Sequence, residues 1–117
     1  MAVSLASLRA LSAARIRERD LQECLRQLCK THRWKYYHTH RSQHSPAGFP
    51  DTVALPPLRT VYAELKREHE EPSEDQREWL WALAERGHEV YLWRPSHWLA
   101  GTIEMTLRHG PDRAAWR

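Results

Sequence analysis

No apolar run in this chain approaches the roughly 18 residues needed to cross a bilayer, so membrane insertion is not expected. Cysteine is scarce: Cys24 and Cys29 are the only two. Both fall on a predicted helix, where a spacing of five puts the thiols on different parts of the surface. A local disulfide is therefore not expected, and a reduced, intracellular protein is. Zinc ligation is not expected either. His38, His40 and His44 form H-x-H-x₃-H, but there is no C-x-x-C pair to complete a ligand knuckle. The chain has no secretory apolar region, internal repeat or low-complexity segment. Its 117 residues suit one domain with a modest core.

Acidic residues are few in the first half. Residues 1–50 hold nine Lys and Arg against three acids, a net of +6, whereas residues 51–117 hold nine against twelve, a net of −3. Positive charge gathered in one half points to a polyanionic partner, with nucleic acid first, or to a solvated basic surface. Residues 1–17 form a basic extension with Arg9, Arg15 and Arg17 and no acid. That composition overlaps with a transit peptide. A frayed terminus, or a short helix using Leu5, Leu8 and Leu11, is favoured over it.

Apolar residues at Leu21, Cys24, Leu25 and Leu28 predict a helix over about 16–30 with one buried stripe. Trp34–Thr39 predicts a strand and 40–48 a loop. Two short strands follow at Asp51–Leu55 and Thr60–Leu65, joined by Pro56–Arg59. Ser73 and Gln76 make a capping box for a helix that ends near Arg86, with Gly87 as its stop. Glu89–Trp93 is a strand. Pro95 and Ser96 open a last helix carrying Trp98, Leu99, Ile103 and Leu107, and the tail from 109 is loose. The order helix, three strands, helix, strand, helix predicts an α/β protein with a small mixed sheet flanked by helices.

Taking the middle strands as a hairpin, Leu55 opposes Thr60 and Asp51 opposes Glu64. Their side chains then leave the same face, about 5 Å apart at Cβ. Lys66 shares that face, while Val61, Ala63 and Leu65 point the other way. Opposed carboxylates repel and call for a shared proton or a divalent cation. Lys66 would then stabilise a pentavalent transition state or position water. An Asp–Lys–Glu surface ion-pair cluster on an edge strand is the competing reading. Gln76 shares a helix face with Trp79, Leu80 and Leu83, so it can cap or point into a site. Glu18 flanks the apolar stripe of the first helix and can approach the acid pair. Glu23, on the opposite side, cannot.

The blocks G-F-P-D (48–51), A-E-L-K (63–66), S-x-x-Q-x-x-W-L (73–80) and Y-x-W-R-P (91–95), in this order and spacing, resemble the VRR-NUC domain. This is the virus-type replication-repair nuclease branch of the PD-(D/E)xK superfamily. The resemblance covers Glu18 to Trp98. It implies a restriction-endonuclease-like core and a Mg²⁺- or Mn²⁺-dependent nuclease. Asp51 and Glu64 would be metal ligands, Lys66 the catalytic lysine and Gln76 a supporting glutamine, with Glu18 and Gln22 the acid and glutamine of the leading helix. Glu18 is counted with the metal ligands. Short members of this kind act as homodimers on branched DNA such as Holliday junctions, and larger relatives such as the Fanconi-associated nuclease act on flaps. Arg33, Arg41, Thr52 and His97 depart from the usual pattern, which has Gly, Asp, Leu and Asp there. None removes an implied ligand.

Lys35, His38, Arg41 and Arg94 are the expected DNA contacts. Trp34 and either Tyr36 or Tyr37 are expected to be structural, and Trp79 core. Trp81 is placed at a dimer interface or simply exposed. The expected function is a metal-dependent DNA endonuclease acting on branched DNA as a homodimer in the cytoplasm of a bacterial or phage-infected cell. A non-catalytic or partner-dependent DNA-binding module is the alternative, and an interaction domain with surface ion pairs a third possibility.

Overall fold

The computed structural model describes residues 4–39 and 44–110. The elements are α1 (Leu5–Arg15), α2 (Glu18–Thr31), β1 (Lys35–His38), β2 (Thr52–Leu55), β3 (Val61–Leu65), α3 (Glu74–Glu85), β4 (Glu89–Trp93), α4 (Pro95–Leu99) and α5 (Thr102–His109). The sheet order is β1-β2-β3-β4. The first two pairings are antiparallel, and β3 pairs parallel with β4 through the α3 crossover. The protein is a mixed α/β fold with helices flanking a mixed sheet.

The hairpin register is the expected one. Thr52 pairs with Ala63 and Ala54 with Val61, which puts Asp51 against Glu64 one step beyond the ladder. Val61, Ala63 and Leu65 face the core with Leu21, Leu25 and Cys29 of α2, Tyr91 and Trp93 of β4, and Ile103 and Leu107 of α5. The buried positions of α2 recur at intervals of four. Cys24 and Leu28 from the expected stripe are only half-buried. Tyr91 and Trp93 stack with ring centroids 5.0 Å apart. Both cysteines are free thiols.

Three expectations need correction. The N-terminal helix exists, but Leu11 is exposed. Ala13 is completely buried, and the helix packs against α4. The first long helix starts at Glu18 rather than Ile16, because the Asp20 carboxylate accepts from the Arg17 backbone N–H at 3.1 Å and fixes the cap there. The single C-terminal helix is two. Gly101 takes φ +79, a left-handed conformation that a right-handed helix cannot continue through. Arg59, at the end of the hairpin turn, then binds the carbonyls of Thr106 and Leu107 and the Glu89 carboxylate. It joins the last turn of α5 to the start of β4.

At the end of α2, the Trp34 N–H bonds to Cys29 O and the Arg33 N–H to Lys30 O, a Schellman closure with Arg33 left-handed at φ +59. A side chain there costs about 1–2 kcal/mol relative to the right-handed basin. Arg33→Gly is therefore expected to stabilise the protein by about 0.5–1 kcal/mol after the entropy of a freer unfolded glycine is counted, read as a rise in Tm by thermal unfolding.

Candidate active site

The end of β3 carries two ionisable side chains that a surface cluster would not bury. Glu64 is 2% exposed and Lys66 8%. β3 is an interior strand, so the edge-strand ion-pair reading does not hold. The Asp51 backbone N–H donates to Glu64 Oε2 at 3.2 Å. The Leu65 N–H donates to Asp51 Oδ1 at 3.2 Å. Backbone on each strand thus holds the carboxylate of the other.

Gln76 both caps and enters the site. Its Oε1 accepts from the Ser73 N–H at 2.8 Å, and its Nε2 donates to Glu64 Oε1 at 2.9 Å. The reciprocal cap from Ser73 closes at 3.2 Å. Because the capping box fixes the amide, the orientation of Glu64 is set by the first turn of α3. Lys66 Nζ lies 3.8 Å from Glu64 Oε1 and 3.3 Å from Glu70 Oε1.

Glu18 arrives from the first turn of α2 and lies beside Asp51 and Lys66 in the same cavity. Glu23 pairs instead with Arg26 on the far side of that helix. Four carboxyl groups, Glu18, Asp51, Glu64 and Glu70, therefore surround one ammonium. Burial pushes Asp51 up to about 7, opposed by the Thr52 hydroxyl and reinforced by the charge of Glu18. Burial and then the charge of Asp51 push Glu64 up to about 8. Burial also raises Glu18, with Lys66 opposing.

Thr52 is completely buried, and its hydroxyl donates to Asp51 Oδ1 at 3.0 Å. With that proton directed at Asp51, the Nδ1 of His38, 3.2 Å away, is the donor to Thr52 Oγ1. Thr52 thus supplies a second hydrogen bond to the Asp51 carboxylate. His38, Asp51, Glu64, Lys66, Gln76 and Glu18 all line one cavity of about 720 Å³.

Other expectations fare differently. Arg94 is not in this group. Its guanidinium donates to the carbonyls of Arg67, Glu68 and Glu70 at 2.6–3.1 Å and lies 3.5 Å from Glu71 Oε1. It pins the 67–71 loop, which presents Glu70 to Lys66, and so acts on the site from a distance. Lys35 is exposed on β1 and does not line the cavity. Arg41 and His40 lie outside the described residues, and His44 is exposed. Trp79 is a cavity wall rather than core, with its indole N–H on Ala47 O at 3.1 Å. Tyr36 packs against the core and Tyr37 does not. Trp81 is 62% exposed.

Sequence reasoning missed Glu70, Phe49 and the bonding role of Thr52. The i,i+4 spacing of Glu70 from Lys66 was a signal, as was the hydroxyl beside Asp51. Nothing local marks Phe49, whose contacts with Tyr62 and Trp79 come from distant elements.

Among the described residues, no set of three or more His, Cys, Asp or Glu side chains is arranged as a ready metal cage. The donor chemistry nonetheless fits a hard divalent cation. Mg²⁺ needs only one or two protein carboxylates, with water and phosphate oxygens completing its shell, and one lysine leaves the four acids undercompensated. The fold and the site together define a small α/β protein with a partly buried Asp–Glu–Lys–Gln cluster at the end of a mixed sheet. Comparison of the chain with family models, curated proteins and solved structures gave no match.

Two outcomes follow. Folded-state values near 7 and 8, above the ordinary 3.8 and 4.5, mean that the folded chain keeps protons the unfolded chain releases. The associated stability is complete below about pH 4 and lost as pH rises through 7 to 8. In EDTA, Tm is expected to fall as pH rises from about 4 to about 8 and to level off above that, and Asp51→Asn with Glu64→Gln to flatten that slope. Mg²⁺ should raise Tm more at the alkaline end. Separately, a Cβ on Gly48 (φ +100) would sit 2.5 Å from the Asp75 backbone. Gly48→Ala is expected to cost about 1–3 kcal/mol in denaturant unfolding, because the loop before Asp51 can no longer seat on α3.

Proposed function

We propose that this protein is a metal-dependent DNA nuclease of the VRR-NUC branch, with a restriction-endonuclease-like core. The observation that carries the reading is the directly opposed Asp51–Glu64 pair, Glu64 buried and Asp51 half-buried, held beside Lys66 and Gln76. The four sequence blocks that resemble the family supply exactly one such residue set, which adds support.

Asp51 and Glu64, with Glu18 beside them, would hold Mg²⁺ or Mn²⁺. A bound cation of this kind lowers the pKa of water and neutralises charge on a phosphate. The remaining work belongs to the chain. Lys66, kept in reach by Glu64 and Glu70, offers ammonium protons to a phosphate oxygen as negative charge develops in the transition state. Gln76 keeps Glu64 from rotating away. The Leu65 N–H and the Thr52 hydroxyl do the same for Asp51. The cavity is open to a polymer backbone and is walled by Tyr37, Phe49 and Trp79. Branched DNA is the proposed substrate. A two-fold homodimer would present two such cavities in opposite orientation, as a four-way junction requires.

The test is cleavage of an end-labelled four-way junction beside linear duplex of the same sequence, in Mg²⁺, Mn²⁺ and EDTA. Metal-dependent cutting is expected, with Asp51→Asn and Lys66→Ala each reducing it about 10²-fold or more. Tight junction binding with no cutting in either metal would replace this reading with a DNA-binding module that needs a partner for catalysis.

A further inference from the structure

The strand β1 separates its side chains sharply. Tyr36 and His38 turn toward the face that α2 covers, His38 lining the cavity, whereas Lys35 and Tyr37 turn to the other face, Tyr37 with 61% of its surface exposed. By register, the outward row continues onto β2, since Tyr37 pairs with Val53 and Lys35 with Leu55. Leu55 is exposed and Val53 half-buried. Among the described residues, α3 packs on β4 and α2 on the opposite face, so no helix covers this part of the sheet. One end of the uncovered face opens into the carboxylate cavity, where Tyr37 and the exposed Phe49 form part of the wall. At the other end stands Arg33, exposed at its left-handed position.

The charges around this surface are of opposite sign on its two sides. The β1 side carries Arg33 and Lys35. The α3 side carries Glu74, Asp75 and Glu78, all exposed, with Asp75 and Glu78 beside Trp79. A polyanion approaching the cavity is attracted along β1 and repelled from α3. Alternate strand residues are about 7 Å apart, which is of the order of the spacing between phosphates in an extended strand. The aromatic and aliphatic surface between the cations has no use for a duplex, whose base faces are already stacked. It suits bases that are unpaired, which stack on aromatic rings irrespective of sequence.

We propose that the uncovered face of β1 and β2 is a track for an unpaired DNA strand leading into the cavity. Tyr37 stacks a base next to the phosphate that Lys66 and a cation at Asp51 and Glu64 would hold. Lys35 and Arg33 take phosphates further along. The proposal rests on the nuclease reading for the identity of the polymer, and it adds to the branched substrate that nucleotides beside the cleaved bond are unpaired, opened at the branch point in a junction.

The test is fluorescence anisotropy of the full chain in EDTA with a labelled single strand about 12 nucleotides long, and with a blunt duplex of the same sequence. Tyr37→Ala is expected to weaken single-strand binding about ten-fold, to leave duplex binding nearly unchanged, and to be rescued by Tyr37→Phe. Lys35→Ala and Arg33→Gly should each reduce the salt slope of single-strand binding by about 0.7. Arg33→Gly should do so while raising Tm, so the loss cannot be assigned to unfolding. Single-strand affinity indifferent to Tyr37, or equal losses on single strand and duplex, would overturn the track even if the protein cuts DNA. Tyr37-dependent single-strand binding by a protein that cuts nothing in any metal would keep the track and overturn the nuclease reading.

Discussion

Two carboxyl groups forced to face each other across the β2–β3 ladder, one buried and one half-buried, are the constraint on which the rest of the site depends. Neither can ionise cheaply while the other is charged. Each neighbouring feature lessens that cost or fixes its geometry. The Leu65 and Asp51 N–H groups each bind the carboxylate of the opposite strand. Thr52 and Gln76 add side-chain donors, and Lys66 adds a buried cation. The arrangement is well bonded yet still electrostatically loaded, which is the condition under which a divalent cation binds with large effect.

That load is held in place by elements far apart in the chain. α3 contributes through a single side chain that caps its own helix and grips Glu64, so the helix start and the site cannot be moved independently. Gly48 lets the loop before Asp51 lie against the same first turn. Arg94, from the end of β4, fixes the loop that brings Glu70 to Lys66. The parallel β3–α3–β4 unit therefore does more than complete the sheet. It gathers three separate segments around one pair of acids.

The residues around the mouth of the cavity are arranged by the same alternation that builds the core. In β1 the odd positions face out and the even positions face in. The aromatic and basic stretch 33–38 thus divides into a structural half, with Trp34 and Tyr36, and an outward half, with Arg33, Lys35 and Tyr37. Composition alone could not make that division, because it depends on which face α2 covers.

Much of the fold was legible in the sequence. The capping box at Ser73, the stop at Gly87, the strand at Glu89–Trp93 and the register that opposes Asp51 to Glu64 all follow from local rules: hydrogen-bond satisfaction at helix ends and period-two alternation across a short turn. The break at Gly101 was not legible, because a glycine inside an apolar helical pattern signals a boundary only once packing rewards the turn. The same limit applies to the site. Sequence alone determined that Asp51, Glu64 and Lys66 share a face and that Glu18, not Glu23, can reach them. Only the tertiary structure decided that the cluster is buried rather than a surface ion-pair network. It also gave Arg94 to a loop and Trp79 to a cavity wall, and it made Thr52 a ligand of Asp51. Burial and long-range partners arise from how helices and loops close over a sheet, and no local pattern of residue types encodes which side they cover.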